Sequence, residues 1–191
     1  MAQLGFYIDQ SRCTGCKACV IACKDKHDNR EGTNFRRVYS FQTGEFSENG
    51  KGAFINNVQS YYLSISCNHC EEPACAKNCP TKAMHKRDED GVVVVDQNKC
   101  IGCRYCEWNC PYEGPQYNKD LGKMTKCDLC IDLLEKGEKA ACEGACPVRA
   151  IEIGPIEELR KKYGEVNEIK GMPPSSITRP NLVITPHKYA N

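Results

Sequence analysis

No apolar run in this sequence is longer than the six residues from Ala18 to Cys23. A membrane-crossing helix needs about 20, so no segment is expected to span a bilayer. An excess of charge of either sign is also lacking. The chain has 26 Lys and Arg against 25 Asp and Glu. That balance argues against nucleic acid, whose binders are basic, and against a disordered acidic tail. The first residues, Met1-Ala2-Gln3-Leu4-Gly5-Phe6, have neither the basic stretch nor the apolar core of an export signal, so no export address is expected in them. Apolar side chains are scarce too once cysteine is set aside, because the 40 % hydrophobic fraction counts it. A length of 191 residues suits one large domain or two small ones. Burial alone is thin for holding them together.

Cysteine is abundant instead. Sixteen of 191 residues are Cys, about 8 %, a share at which cross-links or metals usually carry the fold. Without an export signal, disulfides are disfavoured, since cytosolic thiols stay reduced, and metal gains. The sixteen fall into four groups of four with none left over. Group I is Cys13, Cys16, Cys19 and Cys23; group II is Cys67, Cys70, Cys75 and Cys79. Group III is Cys100, Cys103, Cys106 and Cys110; group IV is Cys127, Cys130, Cys142 and Cys146. Groups I and III read C-x2-C-x2-C-x3-C, whereas II widens one gap to four residues and IV widens it to eleven. Groups II, III and IV end in Cys-Pro, at Pro80, Pro111 and Pro147.

That run, followed by Pro, is the bacterial ferredoxin arrangement for 4Fe–4S clusters. Three thiolates two residues apart let a short loop wrap three corners of a cube, with backbone N–H groups turned to its sulfides. The fourth Cys faces away and reaches a second cube, and Pro then turns the chain outward. Structural zinc is the competing reading, but zinc takes ligands as separated pairs, and these runs place four in one stretch.

Internal similarity shows which groups correspond. Ile8-Asp9-Gln10-Ser11-Arg12-Cys13 resembles Val95-Asp96-Gln97-Asn98-Lys99-Cys100, and Cys79-Pro80-Thr81-Lys82-Ala83-Met84 resembles Cys146-Pro147-Val148-Arg149-Ala150-Ile151. Groups II and III are joined by Ala83 to Lys86, an Asp90-Gly91 turn and the Val92 to Val95 run, which reads as a hairpin. Strands are expected at Phe6–Ile8 and Ala150–Ile153. If they pair, I and IV form an outer module around II and III; pairing I with II and III with IV would leave both strands without that partner. Arg37 to Phe41 and Val58 to Ile65 read as a hairpin across the Gly- and Asn-rich 44–52 segment. Leu133 to Gly137 reads as a helical turn closed by Gly, and Pro155 to Tyr163 as a helix stopped by Gly164. From Met172 onward come four Pro and little periodicity, which suggests an extended tail on another subunit.

The sequence resembles the four-cluster iron–sulfur subunit of the dimethyl sulfoxide reductase family. The resemblance rests on Gly5 to Asp9 with Arg12 to Lys17, Tyr61 to Cys70 (YYLSISCNHC), Ala83 to Arg87, Cys100 to Cys106 (CIGCRYC), Cys110-Pro111-Tyr112, Met124 to Cys127 and Gly154 to Ile156. It implies a subunit that is not catalytic itself. Such a subunit relays electrons from menaquinol, oxidised at an integral membrane anchor, to a molybdopterin-containing catalytic subunit that reduces S-oxides and N-oxides. A heterotrimer is implied. So is a peripheral position on the outer face of the inner membrane, by co-export with a partner bearing a twin-arginine signal. The alternative is the equivalent subunit of a polysulfide or thiosulfate reductase, a formate dehydrogenase or a hydrogenase. Nitrate reductase relatives carry Trp at the second Cys of group III, which leaves a 3Fe–4S cluster; Cys103 here implies four 4Fe–4S clusters.

The expected fold class is α+β, with two nested ferredoxin-like modules. Residues 1–30 plus 120–163 form the outer module, 31–66 an inserted β-hairpin, 67–119 the inner module and 164–191 the tail. The expected ligand sets are exchanged. They are Cys13, Cys16, Cys19 with Cys146; Cys127, Cys130, Cys142 with Cys23; Cys67, Cys70, Cys75 with Cys110; and Cys100, Cys103, Cys106 with Cys79. Groups I and IV should face the catalytic subunit, and II and III the membrane. Arg104 and Tyr105, with Pro80 and Thr81, are candidates for the quinol-side interface. Lys17, Lys24, Arg104, Lys126 and Arg149 stand beside ligands and can offset cluster charge. His69 reads as a bystander between two ligands, His85 and His187 as surface or interface, and Trp108 as packing against a cluster.

Overall fold

The computed structural model describes residues 2–190. Its only three-stranded sheet, among the described residues, runs β10-β1-β11 and joins the two ends of the sequence. Strand β1 (Leu4–Asp9) pairs antiparallel with β10 (Ile151–Pro155), matching Phe6 to Ile153 and Ile8 to Ile151. On its other edge it pairs parallel with β11 (Leu182–Thr185), matching Phe6 to Leu182 and Ile8 to Ile184. The two-residue period of a strand sorts the side chains. Phe6, Ile8, Leu182, Ile184 and Ile151 point into the main core together with most of the cysteines. Tyr7 and Val183 face the other way, onto Ile156 and Leu159 of α6 (Ile156–Tyr163), where Tyr163 stacks on Tyr7 at 3.6 Å between centroids. The helix begins after Pro155, with acids in its first turn and bases in its last, as the macrodipole favours.

The tail expectation is corrected here. Residues 182–185 form an internal strand with Leu182, Val183 and Ile184 buried, and the preceding stretch is stitched to group II. Glu71 and Glu72 N–H donate to the Arg179 and Thr178 carbonyls, and Asn181 N–H to that of Asn68. Four prolines concealed a short strand, three of whose four residues are buried.

The cysteine groups sit on short helices. Helix α1 (Ala18–Lys26) of group I packs on α5 (Ala141–Gly144) of group IV, and α2 (Ala74–Lys77) of group II on α3 (Tyr105–Trp108) of group III. Helix α4 (Ile131–Leu134) fills the long gap of group IV, and Gly137, at φ 74°, turns the chain after it. Between groups I and II, β2 (Arg37–Thr43) pairs with β5 (Gln59–Ile65), and the connection carries a smaller ladder of β3 (Phe46–Glu48) with β4 (Phe54–Asn56). Strands β6 (Met84–Lys86) and β7 (Val93–Val95) form the hairpin expected between II and III. A further hairpin, β8 (Gln116–Asn118) with β9 (Lys123–Thr125), lies between III and IV, turning at Gly122 with φ 63°. No helix among the described residues is long and apolar enough to cross a membrane.

Candidate metal centres

Corresponding groups adopt corresponding backbones. Gly15 and Gly102 both have φ 70°, and two residues on, Lys17 and Arg104 stand in the left-handed region at 62° and 65°. Three residues after the last Cys of groups II and IV, Lys82 and Arg149 have φ 54° and 53°. These turns aim backbone N–H groups at sulfur. Met84 N–H donates to Cys79 Sγ at 3.4 Å, Ala150 to Cys146 at 3.3 Å, Met124 to Cys100 at 3.4 Å and Gly114 to Cys110 at 3.3 Å.

The thiols gather across groups. One small cavity is lined by Cys13, Cys16, Cys19 and Cys146, and another by Cys100, Cys103, Cys106 and Cys79, with Pro80 and Thr81 on its wall. Burial raises the Cys23 thiol to about 12, with Cys142 and Cys130 adding to the shift. Burial likewise raises Cys70 to about 12, with Cys67 and Cys110 beside it, and Cys75 has the same two neighbours. Cys127 is pushed well above the usual thiol range by burial, then by Cys67, Cys23 and Cys142. Cys79 moves the other way. Its burial is outweighed by N–H donors from Met84, Thr81 and Ala83 and by the Thr81 hydroxyl.

All sixteen cysteines are free thiols, so no disulfide framework is present. A single zinc ion does not fit either. Zn–S bonds of about 2.3 Å put tetrahedral sulfurs about 3.8 Å apart. Among the described residues, the one group of three or more potential ligands within 4.8 Å of one another is His27, Asp128 and Cys130. The four-cysteine cavities are therefore wider than a single-ion site and suit a multi-iron group.

Two buried cations lie among the thiols. Arg36 is 1 % exposed, bonds Ser64 Oγ at 3.1 Å and Ser66 Oγ at 3.0 Å, and covers the Phe6 ring at 4.6 Å. Lys126 bonds the Val93 and Cys127 carbonyls. Of the five cations expected to offset cluster charge, Lys126 alone is buried; Lys17, Arg104 and Arg149 are exposed, and Lys24 is half-buried and holds the Arg30 and Thr33 carbonyls. Arg36 has no such signal, because its nearest cysteine in sequence is thirteen residues away; only the fold brings it there. His69 is fully buried between two cysteines and accepts a hydrogen bond from Val93 N–H on Nδ1 at 3.0 Å. Its pKa is held well below the usual value by burial, then by Lys126 and Arg36. His85 is exposed, while His187 is half-buried and stacks on Tyr61 at 5.5 Å.

Large apolar side chains are exposed on the group III loop and on the β8–β9 turn. Ile101 is 66 % exposed, Tyr105 49 %, Leu121 57 % and Trp108 72 %. The packing expected of Trp108 is thus corrected: it projects outward, 5.7 Å from Tyr105, because α3 is one turn long and only its Cys106 side faces inward. Arg104 is exposed too, paired to Glu107 at 2.6 Å.

Four-thiol cavities on short ferredoxin-type loops define a multi-cluster 4Fe–4S protein. The family model of the 4Fe-4S dicluster domain matches residues 58–156, and that of a 4Fe-4S binding domain residues 4–25. The B subunit of the anaerobic dimethyl sulfoxide reductase of Haemophilus influenzae is 52 % identical over 190 residues, covering 100 % of this sequence and 92 % of that protein. The B subunit of the Escherichia coli enzyme is 55 % identical over 185 residues, 97 % of this sequence and 89 % of its own length. The thiosulfate reductase electron transfer subunit of Salmonella typhi is 39 % identical over 152 residues, covering 78 % and 74 %. The protein belongs to the iron–sulfur subunits of the dimethyl sulfoxide reductase family. It is a non-catalytic electron-transfer subunit that carries four 4Fe–4S clusters.

Proposed function

We propose that this subunit relays electrons from menaquinol, oxidised at an integral membrane anchor, to a molybdopterin-containing catalytic subunit that reduces dimethyl sulfoxide or related S- and N-oxides. The carrying observation is the pattern of exposure along the thiols. Cys16 and Cys103 are the two exposed cysteines of the sixteen, and they belong to the two four-thiol cavities. Between those ends lie thiols that neighbour one another: Cys19 beside Cys142, Cys127 beside Cys67, and Cys75 packed in one core with Cys106.

Each bound cluster takes up and passes on one electron at a time. The polypeptide holds the four sites in a row and keeps the middle ones dry. The proposed ligand sets are Cys13, Cys16, Cys19, Cys146; Cys127, Cys130, Cys142, Cys23; Cys67, Cys70, Cys75, Cys110; and Cys100, Cys103, Cys106, Cys79. Each set borrows its fourth thiol from the other group of its pair, so the module of groups I and IV encloses that of II and III. The antiparallel pairing of β1 with β10 supports this nesting. The Cys103 end, with its apolar rim of Ile101, Tyr105, Leu121 and Trp108 and with Pro80 and Thr81 on the cavity wall, suits docking on the membrane anchor. The Cys16 end is left for the catalytic subunit. The assembly would be a heterotrimer peripheral to the inner membrane, on its outer face.

Purifying the native complex tests this. The expected result is a molybdenum-containing large subunit, a membrane subunit and sixteen irons on this subunit, four for each of the four clusters. A complex without molybdenum would overturn the reading. A second reading, an equivalent subunit serving a thiosulfate or polysulfide reductase, is favoured by the likeness to the thiosulfate reductase subunit. Dye-linked assays of the large subunit with sulfoxide and with thiosulfate separate the two.

A further inference from the structure

We propose that Arg36 and Lys126 are potential-setting residues: two buried cations fixed at the two junctions between the first three cluster sites, each favouring the reduced state of the clusters on both sides of it. The inference rests on the ligand sets proposed above.

Arg36 is tied to both outer sites. Its guanidinium donates to Ser64 Oγ, and that hydroxyl lies 3.4 Å from Cys19 Sγ of the first site. Its backbone N–H faces the Cys23 thiol of the second site and works against the rise that burial imposes on it. The Nε–H of Arg36 is buried with no partner among the described residues. Around its guanidinium stand Cys142, Cys19, Cys127 and Cys23, all ligands of the first two sites. Lys126 adjoins Cys127 of the second site in sequence and sits among Cys67, Cys127 and Cys75, with Asp128 also facing it. No carboxylate is paired with either cation among the described residues.

A buried charge is expensive unless opposite charge faces it. Asp128 faces Lys126 without pairing to it; the other opposite charge here is that of the cluster sites. When such a site gains an electron its negative charge grows, and a fixed cation in a poorly screened interior stabilises that state. The fourth site has no buried cation: Arg104 is exposed and already paired to Glu107. It is an internal reference.

The test is an EPR-monitored redox titration of the cluster-loaded complex carrying Arg36→Met or Lys126→Met. Each signal is assigned beforehand from Cys→Ser variants of single ligands, which check the ligand sets separately from the role of the cations. Arg36→Met should lower the potentials of the first and second clusters, and Lys126→Met those of the second and third. The shift should be at least tenfold in the reduction equilibrium, about 59 mV for a one-electron couple. In both variants the fourth cluster should stay unmoved. Four unmoved potentials, one equal shift in all four, or a shift confined to other pairs of clusters would overturn the proposal. Where a Met variant loads fewer than four clusters, the charge-keeping variants Arg36→Lys and Lys126→Arg decide: wild-type potentials support the proposal, and a tenfold shift overturns it.

Discussion

Single residues set what each site can hold. Cys103 is an exposed thiol on the wall of the outermost cavity, so its sulfur can be removed without opening the core. Cys103→Ser should leave that site with three thiols and a 3Fe–4S cluster, seen as a new EPR signal in the oxidised protein, while the other three clusters persist. Absence of that signal with four intact clusters would remove Cys103 from the ligand set. Gly102, next to it, is required for another reason. Its φ is 70°, and a Cβ there would collide with the Gly122 carbonyl oxygen. The left-handed backbone alone costs a non-glycine residue about 1–2 kcal/mol, and the carbonyl belongs to the β8–β9 turn, held at Gly122 with φ 63°. Gly102→Ala should therefore reduce iron content at this site, whereas Gly50→Ala, with a similar φ of 72° but nothing within 4 Å, should load fully. Equal iron content in both would show that the β8–β9 turn gives way.

At the scale of elements, β11 changes the meaning of the last stretch of sequence. Leu182, Val183 and Ile184 are all buried, and burying each such side chain contributes about 1.5–3 kcal/mol. Their sum is comparable with the whole stability of a domain, about 5–15 kcal/mol. Truncation after Arg179 would also strip the parallel ladder from β1 and bare Phe6 and Ile8. The truncated protein should fail to load clusters; a soluble product with full iron content and the wild-type melting temperature would restore the reading of these residues as a tail that serves another subunit. Sequence patterns exposed some elements and hid others for physical reasons. The cysteine spacing, the two repeats, the strand at Phe6–Ile8 with its partner near Ile151, and the helix between Pro155 and Gly164 rest on local signals, which read directly. Strand β11 is only four residues long between prolines, and β8 and β9 three each, too short for alternation to declare itself. The buried Arg36 has no local signal at all. Its partners Ser64 and Ser66 come from β5 and the loop after it, and Phe6 from β1, so only the assembled fold brings them together.

Across the whole molecule, the interior is built around charge that the polypeptide does not supply. Arg36 and Lys126 are both buried and unpaired with carboxylates among the described residues. Their counter-charge comes from the cluster sites, each with about −2 for an oxidised cube and its four thiolates. Without iron, the thiols cannot take that role at neutral pH, since burial holds Cys23, Cys70 and Cys106 near 12 and Cys130 near 11. Stripping one partner from a buried ion pair costs about 3–5 kcal/mol, and here it happens twice. The protein freed of iron by oxidation and chelation, then kept reduced, should therefore show no cooperative melting at pH 7. Raising the pH should not rescue it. The folded thiols have raised pKa values, so their contribution to apo stability is present below the unfolded thiol value of about 8.5 and is lost as pH climbs toward the folded values. Cluster uptake has the opposite sign, because the ligands must shed protons, and should tighten over the same range. Circular-dichroism melts of the apo protein should lack a transition at both pH 7 and pH 9, and iron titrations at the two pH values measure the slope of cluster uptake. A native-like melting transition in the apo protein would mean that the apolar core alone carries the two buried cations, and the dependence of this fold on its clusters would be wrong.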